Sequence, residues 1–282
     1  MRCLLINLDA RPDRLAMMSE QLGLLGIAFE RIRATEPHEL PPRDWPDGRV
    51  LLTPGELACL DSHRRCWREI AGGDEPVLVI EDDIFVSARL GDALAGLADW
   101  PGQADIVRFE TRLLPGVLSD RAGFTRGGVR FRRLHSTQYG AAAYIATPAA
   151  ARLLDGFAND ATVAADHLVF DAEEPFFDKF RIYQSDPALA VQGDILAGTV
   201  PDAPYHSDLE SDRRKRFDAL DPYPIVDGRR QITPLQRLGR ESRRILRQAA
   251  GRVGRVRDRL QHRTLQMIEF DRAGVVVELP GP

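Results

Sequence analysis

Short apolar runs alternate with amphipathic stretches along the N-terminal two-thirds of the chain. Runs of consecutive β-forming residues predict buried strands, and apolar residues spaced three or four apart predict helices. The predicted strands cover 2–8, 27–32, 77–80, 104–109 and 140–145, and the predicted helices cover 12–23, 53–71 and 149–154. Strands that alternate with helices in this way predict an α/β fold, with a mainly parallel sheet in an α/β sandwich.

The composition is that of an ordinary globular protein. With 282 residues, 44% of them hydrophobic and 28% charged, the chain is long enough to bury a large core. No apolar run approaches the roughly 20 residues that are needed to span a bilayer, and we interpret the apolar N-terminus as a first strand rather than a signal peptide. The three cysteines do not suggest a disulfide framework. These features predict a cytoplasmic protein.

Charge is divided unevenly along the chain. Between 229 and 263 there are 12 Arg against Glu241 and Asp258, which gives +10 and leaves −14 for the rest of a chain of net charge −4. We divide the chain into a body over 1–210, a connector over 211–234, and a basic amphipathic helical tail with a short terminal segment over 235–282. Such a tail can lie on an anionic bilayer, pack on the acidic body or bind nucleic acid. We favour the inner face of a membrane and consider nucleic acid the weakest alternative.

Three consecutive acids follow one of the clearest apolar runs. In an open parallel sheet, ligands collect at the carboxyl ends of the strands, and the run over 77–80 delivers Glu81, Asp82 and Asp83 to such an end. Adjacent carboxylates repel one another unless a cation neutralises them, and hard oxygen ligands suit Mg²⁺ or Mn²⁺. The triplet is therefore either a solvated acidic loop or a divalent-cation site that can bridge a diphosphate.

The turn after the first strand carries a second group of polar residues. Arg11 and Arg14 stand near a helix start and are candidates for binding a diphosphate. Asn7 and Asp9 are candidates for contacts with a base or a ribose. Taken alone, these residues are more typical of the solvated charges at a helix start, and it is the neighbouring acidic strand end that makes them site candidates.

Five segments in the same order along the chain resemble glycosyltransferase family 25, the group of lipooligosaccharide galactosyltransferases and collagen galactosyltransferase domains. They read INLDARPDR at 6–14, GELACLDSH at 55–63, LVIEDDI at 78–84, GAAAYI at 140–145 with a helix over 149–154, and ADHLVF at 165–170. Together they cover about 1–210. Any one of these segments alone would be a weak signal, but their common order is specific.

The resemblance implies a GT-A-type nucleotide-sugar-binding α/β/α sandwich and a metal-dependent, inverting glycosyltransferase. The donor would be a UDP-sugar, with galactose as the first choice, and the acceptor a cell-surface glycan such as lipooligosaccharide, including a lipid-linked one. Glu81 and Asp83 would bind Mn²⁺ or Mg²⁺, and the cation would stabilise the charge that grows on the leaving UDP.

An inverting displacement also needs a general base that takes the proton of the acceptor hydroxyl. Asp166 is the first candidate because the matching family segment is acidic, and Glu110, just past a predicted strand, is the alternative. Either could instead bind hydroxyls of the donor sugar. The resemblance also places His63 and Gly140 near the donor pocket, although a structural histidine is an equally good interpretation of His63.

Other interpretations stay open. Cys59, His63 and Cys66 share one helical face, which could be a soft metal site but is more typical of a half-buried face with inert cysteines. His206 is a further candidate metal ligand. At the level of function, the alternatives are a catalytically degenerate nucleotide-binding or interaction protein of the same fold, and a metal-dependent phosphohydrolase or nucleotidyltransferase. A phosphohydrolase or nucleotidyltransferase would account for the carboxylates but not for the predicted helix that carries Ser62 and His63.

Overall fold

The computed structural model describes residues 1–41, 52–159, 161–197 and 261–272, together with Asp258 and two short paired strands in the C-terminal third. Most of the predicted connector and basic tail, and His206, lie outside the described residues, so the predictions made for them stay predictions. Among the described residues, no helix is long and apolar enough to cross a bilayer.

Strands and helices alternate through the N-terminal half. The strands are β1 (Cys3–Asn7), β2 (Glu30–Arg33), β3 (Val77–Glu81), β4 (Ile84–Val86), β5 (Ile106–Arg108), β6 (Glu110–Thr111), β7 (Pro115–Arg126), β8 (Val129–Leu134), β9 (Ala143–Ala146), β10 (Ile182–Asp186), β11 (Ala190–Gln192), β12 (Ile225–Val226), β13 (Arg229–Arg230) and β14 (Arg263–Met267). The helices are α1 (Pro12–Leu24), α2 (Pro54–Ala71), α3 (Leu90–Gly96), α4 (Pro148–Ala158), α5 (Ala165–Phe170) and α6 (Gly193–Ala197), with 3₁₀ turns at Pro37–Glu39 and Phe177–Lys179. The five strands and three helices that the sequence predicts for the body are present, with shifted ends.

The main sheet has nine strands in the order β14-β7-β8-β10-β5-β9-β3-β1-β2. It is mixed, so the prediction of a mainly parallel sheet was wrong. Among the described strands, three of its eight pairings are parallel and five are antiparallel. One reason is β9, which enters between β3 and β5 and runs against both. The other is the β7–β8 hairpin, which extends the sheet beyond β10.

Helices cover both faces of the sheet, which confirms the α/β sandwich. Successive side chains of a strand point to opposite faces. Val77 and Val79 of β3 therefore pack into a layer with α2, α4 and α5. Leu78 and Ile80 pack into the other layer, with α1 and α3. All four side chains are buried, so β3 is anchored on both sides and holds the three acids that follow it in place.

Helix α2 begins at a capping box. The Thr53 hydroxyl oxygen accepts a hydrogen bond from the Glu56 N–H at 3.1 Å, and the Glu56 carboxylate accepts one from the Thr53 N–H at 2.9 Å. Pro54 occupies the first helical position, and the helix ends at Gly72. A cap of this kind contributes about 1 kcal/mol. It also sets the point at which the helix starts, and so which of its side chains face the end of β3.

A second sheet of three strands, in the order β4-β11-β6, stands beside the main one. Strand β4 follows the acidic triplet directly. Strand β11 runs antiparallel to β4 and parallel to β6, so β6 and β11 end on the side where β4 begins. This small sheet therefore brings a second set of strand ends to the acidic residues.

Residues 263–272, which the sequence analysis placed in a terminal segment, belong to the body. Strand β14 pairs antiparallel with β7 at the edge of the main sheet. Ile268 and Phe270 are buried, and the Ala188 N–H donates to the Glu269 carbonyl at 2.9 Å. The chain thus returns to the main sheet after the segment that carries the basic tail.

Candidate active site

A cavity of about 400 Å³ opens where β1 and β3 end. Its walls come from the turn after β1, one face of α2, the acidic triplet, the loop before β9 and the start of α5. The predicted site residues that line it are Asn7, Arg11, Arg14, His63, Glu81, Asp83, Gly140 and Asp166. Asp9 and Glu110 are not among its lining residues. The fold thus gathers most of the candidates from five separate segments into one place.

Glu81 ends β3 and is held by a buried chain of hydrogen bonds. Its Oε1 lies 3.0 Å from Nε2 of His63, whose Nδ1 lies 3.0 Å from the Tyr144 hydroxyl. Trp67 donates to the same hydroxyl at 2.7 Å. His63, Tyr144 and Trp67 are all buried. Because both ring nitrogens of His63 have partners, this histidine orients the Glu81 carboxylate.

Cys59 and Cys66 differ in their surroundings although they share a helix face. Cys59 lines the cavity, and its sulfur lies within 4.8 Å of the ligand atoms of His63 and Glu81. Cys66 is fully buried in the core, where burial raises the pKa of its thiol. The predicted set of Cys59, His63 and Cys66 is therefore not the group that the structure brings together.

Asp82 lies in a buried ion pair. Its Oδ1 lies 3.2 Å from Nη1 of Arg14, and its Oδ2 accepts a hydrogen bond from the Asn7 side-chain amide at 2.6 Å. Burial raises the pKa of Asp82, although Arg14 and Asn7 act in the opposite direction. Removing one partner of a buried pair typically costs about 3–5 kcal/mol. Asn7 and Arg14 therefore hold the acidic turn in place.

Asp83 is the acid of the triplet that has a buried oxygen without a partner in the described part of the chain. Its side chain is 5% exposed, and its Oδ1 has no hydrogen-bond partner among the described residues. Burial and the charges of Glu81 and Asp82 raise its pKa well above the ordinary value for an aspartate. Asp194, in α6, adds to this repulsion and has a buried oxygen that is likewise unpartnered within the described part of the chain.

The exposed Asp9 and the half-buried Arg11, both in the turn between β1 and α1, have charged partners. Asp9 accepts hydrogen bonds from Arg31 at 2.5 Å and from Arg33 at 2.8 Å, and these arginines hold its pKa below the usual range. It therefore bridges to β2 rather than facing the cavity. Arg11 lines the cavity and pairs with Asp13 at 2.9 Å.

The loop before β9 is held by two carboxylates. Asp166 Oδ2 accepts from the Gly140 N–H at 3.0 Å, and Glu110 Oε2 accepts from the Ala142 N–H at 2.7 Å. Glu110 is fully buried beside Arg108, and burial raises its pKa to about 7. Its position behind Gly140, away from the cavity, favours a supporting role, whereas Asp166 combines a loop contact with a place in the cavity wall.

Replacement of Gly140 by Ala is expected to destabilise the protein by about 2–5 kcal/mol. Gly140 has φ +87°, which an L-residue adopts at a cost, and a Cβ at this position would overlap the Glu110 carboxylate. Urea denaturation would measure the effect. Gly102→Ala is the matched control, since a Cβ there has open space and no positive φ. Equal stability of the two variants would show that the loop at Gly140 can accommodate a Cβ without a loss of stability.

Two polar residues from the small sheet line the cavity although the sequence did not predict them there. Arg112 follows β6 and Gln192 ends β11, and both line the cavity, where the Arg112 guanidinium donates to the Gln192 side-chain carbonyl. The short apolar run over 188–191 was a usable signal for a strand that ends at Gln192. For Arg112, a two-residue strand gives almost no pattern to detect.

The chain also matches known proteins. Residues 1–169 match the sequence profile of glycosyltransferase family 25 (LPS biosynthesis protein). The lipooligosaccharide biosynthesis protein lex-1 of Haemophilus influenzae is 29% identical over 178 residues, which cover 59% of this chain and 58% of that protein. The lipooligosaccharide biosynthesis protein lic2B of the same species is 30% identical over 223 residues, which cover 74% of this chain and 82% of that protein.

The family profile covers more than half of the chain, from β1 to α5, and includes the acidic triplet, His63, Gly140 and Asp166. The chain therefore belongs to glycosyltransferase family 25, as the resemblance of its five segments predicted. It spans a little more than half the length of lex-1 and about four-fifths of lic2B.

Two solved structures align with part of the chain. A glycosyltransferase involved in the glycosylation of the major capsid of PBCV-1 aligns with 67% of this chain and 92% of its own, at 10% identity and a TM-score of 0.37. The inositol-1-phosphate CTP transferase from T. maritima aligns with 67% of this chain and 69% of its own, at 13% identity and a TM-score of 0.36.

Proposed function

We propose that this protein transfers a hexose, with galactose as the first choice, from a UDP-sugar to a cell-surface glycan such as lipooligosaccharide. Transfer would depend on a divalent cation and would invert the anomeric carbon. One observation carries the proposal: the same cavity is lined by Glu81, Asp166 and Asp83, whose buried Oδ1 has no hydrogen-bond partner among the described residues. The names of the two Haemophilus relatives support the choice of acceptor.

The residues at the end of β3 suit a hard divalent cation. Carboxylate oxygens are the ligands that Mg²⁺ and Mn²⁺ prefer. A buried oxygen without a hydrogen bond has lost its hydration without compensation. Within the residues that the structure describes, Asp83 Oδ1 is such an oxygen. Glu81 and Asp83 are therefore the proposed ligands, and Asp194 is a further candidate because its charge acts on Asp83.

The chemistry that a cation supplies here is electrostatic, since it neutralises charge on the diphosphate that leaves with the nucleotide. The protein's own groups would do the rest. His63 orients Glu81, and the Asn7–Arg14 pair holds Asp82 so that the triplet keeps its shape. Two carboxylates of the cavity wall lie outside the triplet, Glu56 and Asp166, and that of Glu56 caps helix α2. Asp166 would therefore take the proton of the acceptor hydroxyl.

A nucleotidyltransferase or phosphohydrolase could use the same carboxylates, but it would not account for membership of a glycosyltransferase family over residues 1–169. All three acids at the end of β3 are present in the cavity, which argues against a degenerate member that binds nucleotide without turnover. Family membership thus favours glycosyl transfer, and the alternatives become outcomes of the test below.

The test uses the full chain with a panel of nucleoside diphosphates and sugar nucleotides, with and without Mn²⁺. Thermal stabilisation by UDP only when Mn²⁺ is present is the expected result. Mass spectrometry with a set of UDP-sugars and lipooligosaccharide acceptors would then identify the donor. Stabilisation without transfer to any acceptor would favour the degenerate alternative, release of phosphate would favour the hydrolase, and indifference to every nucleotide would refute the proposal.

A further inference from the structure

Arg112 and Gln192 form a polar pair on the cavity wall that the proposed mechanism does not use. Arg112 Nη1 donates to Gln192 Oε1, and both side chains line the cavity. The hydrogen-bond partner that the described residues provide for this guanidinium is thus a neutral amide. A cationic side chain directed at a neutral partner keeps its charge available for an anion.

The backbone that presents Arg112 is held in an unusual conformation. The next residue, Leu113, has φ +53°, a left-handed conformation that is unfavourable for a residue with a Cβ. The Thr111 hydroxyl accepts from the Leu113 N–H at 2.9 Å and donates to the Ile268 carbonyl. Thr111 is fully buried. The two hydrogen bonds of the Thr111 hydroxyl therefore stabilise the turn that positions Arg112.

The small sheet brings this pair next to the acidic triplet. In its ladders, Gln192 stands opposite Ile84, the residue after Asp83, and Val191 stands opposite Thr111, the residue before Arg112. The Gly193 N–H also donates to the Asp83 carbonyl at 2.9 Å. Gln192 ends the central strand β11, between Asp83, which precedes β4 on one side, and Arg112, which follows β6 on the other.

The two cavity arginines near the start of α1 have carboxylate partners. Arg14 forms a buried pair with Asp82, and turning it towards a ligand would leave that carboxylate buried without its cation. Arg11 pairs with Asp13 near the surface. Arg112 is the cavity arginine that comes from the small sheet.

The geometry points to Arg112 as a phosphate-binding residue of this cavity, with Gln192 as the residue that positions it, so that a nucleoside diphosphate lies between the guanidinium and the cation held by the acidic triplet. The inference rests on the proposed function and adds to it. A diphosphate that binds beside three carboxylates needs positive charge on more than one side. The cation would provide this charge on one side, and the Arg112 guanidinium would provide it on another.

Binding constants of wild-type, Arg112→Ala and Gln192→Glu proteins would test this by calorimetry with Mn²⁺ present. The ligands are UDP, uridine and inorganic pyrophosphate. Arg112→Ala should weaken UDP and pyrophosphate binding by about 10- to 100-fold and leave uridine binding unchanged. Gln192→Glu is nearly isosteric, keeps the guanidinium and pairs it with a carboxylate, so the same selective loss is expected without any loss of packing. Arg121→Ala, at an exposed arginine of β7, is the matched control.

The outcomes separate this inference from the proposed function. If both variants bind UDP as well as the wild type does, the role of Arg112 is refuted while the proposed function stands. If the wild type binds pyrophosphate through Arg112 but no nucleoside diphosphate, the phosphate site stands and the proposed function fails. If the wild type binds neither ligand, both are wrong. Two further results would support a direct contact between Arg112 and the diphosphate. Guanidinium ions would partly restore UDP binding to Arg112→Ala, and Arg112→Lys would bind UDP more tightly than Arg112→Ala does.

Discussion

Asp83→Asn is expected to abolish most of the stabilisation that Mn²⁺ gives and to lower the rate of sugar transfer by roughly 10²–10³-fold. Residues that only hydrogen-bond to the ligands of a metal already change the affinity for that metal by about 10–100-fold, so replacement of a ligand should matter at least as much. At a Mn²⁺ concentration of about 100 Kd, the wild type would gain about 2.7 kcal/mol, and a site weakened 100-fold would gain about 0.4 kcal/mol. Thermal melting with and without Mn²⁺ measures the difference.

The same substitution should have the opposite effect when Mn²⁺ is absent. Asp83 is buried beside Glu81 and Asp82, and one of its oxygens has no hydrogen bond among the described residues. Loss of this charge removes repulsion, so Asp83→Asn should melt above the wild type in a chelator. Asp74→Asn, at an exposed acid before β3, is the control and should change neither measurement. A variant that melts lower than the wild type in chelator would show that Asp83 has a structural role instead.

Strand β3 and helix α2 could be predicted from the sequence because each carries a strong local pattern. Val77 to Ile80 is a continuous β-forming run, and the start of α2 has both halves of a capping box. Strand direction has no such local signal. The apolar run of β9 reads the same whether it lies parallel or antiparallel to β3, and its direction depends on where the chain enters the sheet.

The β7–β8 hairpin was missed because its strands are rich in arginine and glycine. A signal was nevertheless present. Gly127 and Gly128 both have positive φ, at +53° and +71°, and a two-glycine turn between strands is typical of a tight hairpin. Alternation over 129–132, with Val129 and Phe131 buried between arginines, was the second clue. Because arginines alternate with these apolar residues, the segment was not recognised as a strand from the sequence.

The candidate site was predictable where its residues follow long strands or share a motif, as Glu81, Asp83 and Arg14 do. The contributions of Arg112, Gln192 and Asp194 depend on a sheet of very short strands, which leave no periodic pattern in the sequence. The role of Glu110 needed the fold as well, since only its burial behind Gly140 separates it from Asp166. Tertiary placement, rather than residue type, distinguishes these two acids.

Asp166→Asn is expected to lower kcat of transfer by about 10²–10⁴-fold, because it removes the proposed general base, while the donor still binds with nearly wild-type affinity. Asparagine keeps an oxygen that can accept from the Gly140 N–H, so the loop should stay in place and the melting temperature should change little. The rate of the wild type should fall at low pH as the base becomes protonated, and the residual rate of the variant should lose that dependence.

Glu110→Gln is the comparison that decides between the two acids. Its carboxylate binds the Ala142 N–H and lies next to Arg108, away from the cavity lining, so its replacement should act on stability more than on the pH profile of transfer. If Glu110→Gln removed the fall in transfer rate at low pH and Asp166→Asn left that fall intact, the base would be Glu110. A loop that opens enough to expose Glu110 would then have to be part of the catalytic cycle. If Asp166→Asn instead weakened donor binding and left kcat unchanged, Asp166 would be a ligand of the donor sugar, because an interaction that is equal in the ground state and the transition state changes KM alone.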